Sequence, residues 1–566
     1  MSAAAQPADP SASKEVDTST KPEPAAEGSS KQPVTVSAVA ADPEKDASID
    51  PAEGTVHQAA LGPKARRGSI WWLGPLGHFF APLDSKYAEA VHRDAETVQF
   101  TEEEEKAVRH KIDVRVLSLV VLSYVFNQFD RTNIGNAHTL EQFNDNFGIT
   151  SNAKWTLALS IFYVGYCLLE MPANVLQRRI GANRFFFLSL TWWGIASLSF
   201  VYAKGYGGLL ALRVLLGIGE AGYYAGMIYY LSFWYRRHEL AMRISLCMTG
   251  TLPGAIGGLL AFGLVRAHTS LLAGWQFLFL IEAIPTILMA FAILMFLPSF
   301  PFAAGFLSPR ERAIAQARLD RDHRPRSHGG MGGWEGFKAV VSDPNAWLFM
   351  ILYASFNIGV ATVSYFLPTL IKGLGFTAIN AQGLTVAPYA AGWFLVFFQA
   401  VHSDRTKDRG YHIMGSCFTS FVGYLILATA VQKSVGAAYF ALFLVIGGNY
   451  SLFPLVMSWA SNTFSPTSKR GVGTAFIVSI SNCISIASPQ IYFDDDDDYR
   501  KGHGISAACL LVAFLTAFAL RTRLALKNKK RAMILAEMDP ATREKLDRET
   551  DLADLHDSDP RYVYMT

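Results

Sequence analysis

Apolar runs of about twenty residues recur along this chain, and inside a bilayer a run of that length can satisfy its backbone polar groups only as a helix. They fall near 114–137, 154–176, 185–203, 208–232, 241–265 and 275–297, then near 346–367, 382–401, 411–430, 436–458, 471–493 and 504–521. The pattern is six plus six. The composition agrees: 51% of residues are apolar and 17% charged, against roughly 25% charged in a soluble domain. The expected fold is therefore an all-α integral membrane protein of twelve transmembrane helices in two six-helix halves.

The segments between the runs set the organisation. Residues 1–100 are rich in Ala, Ser, Pro, Glu and Lys, too poor in large apolar side chains to offset ordering entropy, and read as a disordered N-terminal tail. Near 64–83, basic residues mixed with Trp71, Trp72, Phe79 and Phe80 suit a membrane interface. Thr101 followed by four glutamates is a helix-start signal. The halves read as 101–297 and 346–521, joined by a central loop at 298–345 and followed by a tail at 522–566. Arginines and lysines cluster in alternate loops, at Arg178, Arg179 and Arg184, Arg236 and Arg243, Arg405 and Arg409, Lys469 and Arg470, and in the central loop. That bias places both termini in the cytoplasm.

Charges inside apolar runs are costly, and they are functional candidates for that reason. The fourth run carries Arg213 and Glu220 seven residues apart, on one helical face, with Gly217 and Ala221 beside them to let a neighbouring helix approach. Asp130 and Arg131 lie in the first run, Glu170 in the second and Glu282 in the sixth. The later runs hold neutral polar groups at comparable depth, such as Asn357, Gln399, Asn449, Asn482 and Gln490. With Asn133 and Asn482, the charges Asp130, Arg131, Arg213 and Glu220 form the expected substrate and proton-coupling set. Glu170, Arg178, Arg179, Glu282, Asp404, Arg405 and Arg409 are expected to serve structure or gating.

Other functions are disfavoured. The net charge of +3 gives no basis for nucleic-acid binding, and no phosphate loop, metal-ligand cluster or nucleophile–base spacing is present. No cofactor, metal or enzymatic role is expected. Five cysteines scattered through apolar runs read as packing residues.

The basic link after the eighth run, H-S-D-R-T-K-D-R-G (His402 to Gly410), matches in position the link Q-R-R-I-G-A-N-R (Gln177 to Arg184) after the second, a sign of parallel repeats. These links, with the helix count, resemble the major facilitator superfamily. F-D-R-T-N-I-G-N-A (Phe129 to Ala137), L-L-E-M-P-A-N-V-L-Q-R-R-I-G (Leu168 to Gly181), R-V-L-L-G-I-G-E-A-G (Arg213 to Gly222), Y-Y-L-S-F-W-Y-R-R (Tyr229 to Arg237) and G-W-Q-F-L-F-L-I-E (Gly274 to Glu282) are similar to the anion:cation symporter group, particularly the fungal allantoate permease family. The resemblance implies proton-coupled uptake of a small organic anion such as allantoate, nicotinate, pantothenate or another vitamin-like acid. It implies a monomer in the lipid bilayer of the plasma membrane, with protons and an anionic small molecule as partners and alternating access as mechanism.

Two departures stand out. Ala225 occupies a position where that family usually has proline, so a kink in the fourth helix is expected to be absent. Asp494 to Asp498 replace a short link and read as a solvated outer loop. Two alternatives remain: an effluxer, on the glycine-rich Gly250 to Gly258, and a nutrient sensor with long tails. Direction of transport separates the first from uptake. For Arg213 the expectation is an ion pair with Asp130 while the site is empty, exchanged for the carboxylate of the substrate on binding.

Overall fold

The computed structural model describes residues 97–236, 239–240, 242–244, 251–266, 272–323, 333–465, 467–493, 498–539 and 559–566, with Ala95, Ala541 and Asp557 besides. The N-terminal tail, the interfacial aromatic stretch near 64–83 and most of the run from Asp494 lie outside these residues, as does the Arg178 side chain.

Helix α1 (Glu102–Ile112) starts at Thr101, whose side chain accepts from the Glu104 N–H while Glu104 returns a bond to the Thr101 N–H. Four glutamates in its first turn complement the helix dipole. It continues through a π turn at Asp113–Leu117 into α2 (Ser118–His138). After the short α3 (Glu141–Phe147) come α4 (Asn152–Ile180) and α5 (Ala182–Ser199).

The fourth apolar run is two helices, α6 (Gly205–Glu220) and α7 (Tyr223–Leu231). Gly222 between them has φ 74°, a left-handed conformation that glycine adopts without a Cβ penalty. The expectation of an unkinked helix is thus corrected. Glycine breaks the helix two residues past Glu220, and proline is not needed. The small residues act as expected where α6 crosses α4: a Cβ on Gly217 would meet the Phe162 carbonyl oxygen at 2.1 Å.

Helices α8 (Thr251–Leu264) and α9 (Gly274–Phe296) follow, then α10 (Pro309–His323) and α11 (Gly333–Val341). The remaining helices are α12 (Pro344–Gly373), α13 (Ala378–Leu384), α14 (Val386–Thr406), α15 (Gly410–Ala430), α16 (Val435–Thr463), α17 (Thr467–Ile484) and α18 (Arg500–Glu537). Among the described residues nine helical stretches are long and apolar enough to cross a membrane. Leu168, Met171, Leu288, Met295 and Phe397 project outward from them, as lipid-facing side chains do.

Helices α2 to α7 and α9 pack chiefly on one another, and α12 to α18 likewise, while α8 packs mainly on α13 and α14 across the two groups. The two groups meet closely at the end away from the basic loops. There Lys372 Nζ donates to the Thr139 carbonyl at 2.9 Å, Asn152 Nδ2 to the Tyr492 carbonyl at 2.6 Å and Gln490 Nε2 to Ser160 Oγ at 3.0 Å. The α2 and α12 backbones come so near that a Cβ on Gly135 would lie 2.4 Å from the Tyr365 carbonyl oxygen.

Candidate functional site: a central cavity with a buried ion pair

Between the two groups lies a cavity of about 110 Å³, lined from α2 by Tyr124, Asn127, Gln128 and Arg131 and from α4 by Tyr166. Glu220 of α6 and Tyr223 and Tyr224 of α7 complete one side; Tyr353, Asn357, Val360, Tyr450, Phe453, Val478 and Asn482 form the other. At about 10–15 Å³ of probe-filled volume per water, this is room for several waters or a small molecule. The break at Gly222 places both Glu220 and Tyr223 on the wall.

Arg131 donates to Glu220 Oε2 through both Nε, at 3.1 Å, and Nη2, at 2.8 Å. The Arg131 side chain is 25% exposed, that of Glu220 fully buried, so the arginine is the member open to the cavity. Its guanidinium also lies 5.1 Å from the Phe162 ring centroid and 5.5 Å from that of Tyr166, within cation–π range. The second carboxylate oxygen, Oε1, is buried without a hydrogen bond.

Asp130, one residue away, faces the opposite direction. It accepts from Ser197 Oγ at 2.8 Å, Thr286 Oγ1 at 2.9 Å and Trp193 Nε1 at 3.2 Å. Those donors come from α5 and α9, so Asp130 is tied into the helices behind the cavity. The path back to the cavity is short: Trp193 packs edge-on against Tyr223 with centroids 5.0 Å apart, and Tyr223 OH meets Ser123 Oγ at 2.5 Å.

The expected Arg213–Asp130 pair is absent among the described ion pairs. Arg213 is fully buried, and its Nε donates to the Ala158 carbonyl at 3.1 Å. Its two terminal nitrogens have no hydrogen-bond partner. The guanidinium instead lies 4.8 Å from the Phe162 centroid and 5.8 Å from that of Tyr365, which comes from α12. The physical reason is that three neutral donors already fill Asp130, while Phe162 offers Arg213 a π face.

Of the expected substrate and coupling set, then, Arg131, Glu220 and Asn482 reach the cavity. Asp130, Asn133 and Arg213 are buried beside it and outside its lining, and neither amide atom of Asn133 has a partner. Glu170 is buried with Asn482 nearby and Oε1 unpartnered; Glu282 is buried with Oε2 unpartnered. Arg179 and Arg405 are exposed, while Arg409, in the link after α14, pairs with Asp404 in the last turn of α14.

Sequence reasoning missed most of the cavity wall. Tyr124, Tyr166, Tyr223, Tyr224, Tyr353, Tyr450 and Phe453 recur at helical spacings that core packing equally explains. It also missed Glu239, which sits at the basic end. Glu239 pairs with Arg318 of α10 and, at 3.2 Å, with Arg109 of α1, while Arg236 pairs with Glu105 at 3.0 Å and Arg243 with Asp113 at 2.8 Å. Burial alone would raise the Glu239 carboxyl; the Arg318 charge, the Arg109 bond and the Arg236 N–H outweigh it and hold the group below its ordinary value.

The sequence profile of the Major Facilitator Superfamily matches residues 120–489. The chain belongs to that superfamily, whose members, like its relatives, are transporters and not enzymes. It is 33% identical over 389 residues to the MFS-type transporter efuF of Hormonema carpetanum, covering 68% of this chain and 77% of that one. It is 32% identical to the major facilitator-type transporter hxnP of Emericella nidulans (76% and 88% covered) and 30% identical to a candidate tartrate transporter of Agrobacterium vitis (75% and 93% covered). The crystal structure of a D-xylose–proton symporter shares the fold, with a TM-score of 0.57 at 15% identity over 71% of this chain and 97% of that one.

Proposed function

We propose that this chain is a proton-coupled carrier that brings a small organic anion, a carboxylate, into the cell. The observation that supports this most is the Arg131–Glu220 pair on the cavity wall, with the arginine open to the cavity and the glutamate closed behind it. A carboxylate entering the cavity competes with Glu220 for the guanidinium fork. A proton on Glu220 removes the competition, so proton and anion bind together. Departure of both lets the pair re-form and the empty carrier return, while the competition keeps the carrier from cycling with one ligand alone.

The rest of the wall suits this load. Six tyrosines and Phe453 supply apolar faces, while Asn127, Gln128, Asn357 and Asn482 supply a few oriented polar groups. The relative named for tartrate, a dicarboxylic acid, agrees with an anionic substrate; allantoate, nicotinate and pantothenate are the natural first probes. In this reading the helix groups are the halves 101–297 and 346–521 of a twelve-span carrier with cytoplasmic termini. Contact between them at the outer end leaves the site turned inward. Asp404, Arg405, Arg409, Glu170 and Arg179 meet the opposite half when the inner end closes. The carrier works as a monomer in the plasma membrane.

The test is uptake of a panel of labelled carboxylates at two external pH values by cells expressing the chain. Uptake is expected to rise at the lower pH and to collapse with a protonophore. Glu220→Gln should abolish concentrative uptake while sparing exchange. Cell content that falls on overexpression would reverse the direction and make the chain an exporter.

A further inference from the structure

Asp557 and residues 559–566 fold back onto the basic end of the α12–α18 group, and no functional reading above uses them. A turn at 559–561 leads into residues 562–566, where Tyr564 is buried at 3% exposure and Val563 is turned outward at 75%. The backbone of this strip is read at both edges. Tyr564 N–H donates to Asn528 Oδ1 at 2.9 Å, and Asn528 Nδ2 returns a bond to the Tyr564 carbonyl at 2.8 Å. Trp459 Nε1 donates to the Met565 carbonyl at 2.8 Å, and Arg531 Nη1 to the Tyr562 carbonyl at 2.6 Å. The Thr566 carbonyl accepts from the Arg409 N–H at 2.8 Å and the Gly410 N–H at 3.3 Å, at the start of α15, where a helix otherwise leaves donors unmet.

The side chains are read as well. Tyr562 OH donates to the Asn462 carbonyl at 2.6 Å and Tyr564 OH to the Asp557 carbonyl at 2.7 Å, while Arg531 lies 4.5 Å from the Tyr564 ring centroid. Lys469, itself buried, bridges Asp557 to Asp343 at the start of α12. One strip thus contacts the ends of α15, α16, α17 and α18 and reaches α12 through Lys469. On the bundle, Asn528, Trp459 Nε1, Arg531 Nη1 and the Arg409 and Gly410 N–H groups lose these partners if the strip leaves.

We propose that the basic end of the α12–α18 group is a docking surface whose partner is this chain's own segment 557–566. Docking ties the link after α14, which holds the gating candidate Arg409 paired with Asp404 of the last turn of α14, to the ends of α16 and α18. Release unties that link and exposes Trp459 and the Arg409 and Gly410 donors. The inference stands on the contacts alone and does not depend on what the cavity carries.

Hydrogen–deuterium exchange on the full chain in lipid nanodiscs tests it. In the unmodified chain the amides of Tyr564, Arg409 and Gly410 should all be protected. Tyr564→Ala lies outside the helical bundle and leaves its folding alone; it removes a buried ring and the two hydrogen bonds of its hydroxyl. It should speed exchange roughly tenfold or more at Arg409 and Gly410 as well as in the strip. Tyr564→Phe, which keeps the ring over Arg531, should recover most of that protection. A labelled peptide reproducing residues 557–566 should then bind the Tyr564→Ala chain and not the unmodified one. Free exchange of the strip in the unmodified chain, Arg409 and Gly410 amides indifferent to Tyr564→Ala, or equal peptide binding to both chains would each overturn the proposal.

Discussion

The α2–α9 helices and the α12–α18 helices face each other across one cavity and are built of different chemistry. The first group buries Asp130, Glu170, Arg213, Glu220 and Glu282 and turns Arg131 to the cavity. The second meets them with neutral pairs: Asn357 Nδ2 to Ser485 Oγ at 2.7 Å, Thr362 Oγ1 with Ser488 Oγ at 2.9 Å, Ser364 Oγ with Tyr450 OH at 2.9 Å. Among the described residues no ion pair joins the two groups. A charge can change state with a proton or an anion, and an amide or hydroxyl cannot. Under the proposed function, that difference gives the driving chemistry to the first group and the shape of the site to the second.

Glu220→Gln strikes that assignment hardest. It leaves Arg131 without its counter-charge, and breaking a buried pair costs about 3–5 kcal/mol, toward the low end here because Arg131 opens onto the cavity. Accumulation of substrate against a gradient should lose its pH dependence and fall by roughly a hundredfold, the equivalent of about 3 kcal/mol at about 1.4 kcal/mol per tenfold. A variant that still accumulates with the usual pH profile would move coupling away from α6.

Arg213 sharpens the comparison from the other side, because it is a buried charge without a carboxylate partner. Arg213→Met should raise the thermal stability of the full chain, by about 1–4 kcal/mol if relief of an uncompensated buried charge dominates, while uptake falls. A loss of stability would show that an unseen counter-charge serves the arginine. Unchanged uptake would leave it as a packing residue on Phe162 and Tyr365.

Much of this was legible beforehand. The apolar runs are the bilayer's own length requirement written into the chain, so the all-helical membrane fold follows from them directly. Charges inside those runs are too costly to be accidental, so Arg131 and Glu220 stood out by type. Their pairing did not, because which charge meets which depends on helix rotation: Asp130 and Arg131 are adjacent in sequence and about 100° apart around α2, which sends one behind the cavity and the other into it. The break after Glu220 was obscured by attention to the missing proline at Ala225, although Gly222 was in plain view. The tyrosine wall was hidden because aromatic residues at helical spacing look the same whether they line a cavity or fill a core. The docking of Asp557 and residues 559–566 was beyond reach, since its contacts are mostly to backbone and come from five separate places in the chain.

Asn357→Ala and Asn482→Ala probe the neutral group. Each removes a polar group from the cavity wall, worth about 0.5–1.5 kcal/mol, so apparent affinity should weaken a few-fold to about tenfold with the pH profile of uptake unchanged. A shifted pH profile in either variant would erase the division between a driving and a shaping group.

The smallest expected effect lies at the basic end, where the first group also differs by its dense ion pairs around Glu239. Arg318, Arg109, Arg236 and Arg243 all act on that carboxyl, with Glu105 the neighbouring acid. Its folded-state value is depressed, so its contribution to stability is complete above the ordinary glutamate value of 4.5 and is lost as pH falls through the folded value. Thermal unfolding of the full chain and of Glu239→Gln, measured from neutral pH downward, should show a gap that is widest near neutrality and closes in acid. Other depressed carboxyls in the same cluster, such as Glu311, held by Lys111, lower both chains alike and cancel in the difference. A gap that stays constant with pH would mean that Glu239 acts through shape alone, and the charge network at that end would cease to distinguish the two groups.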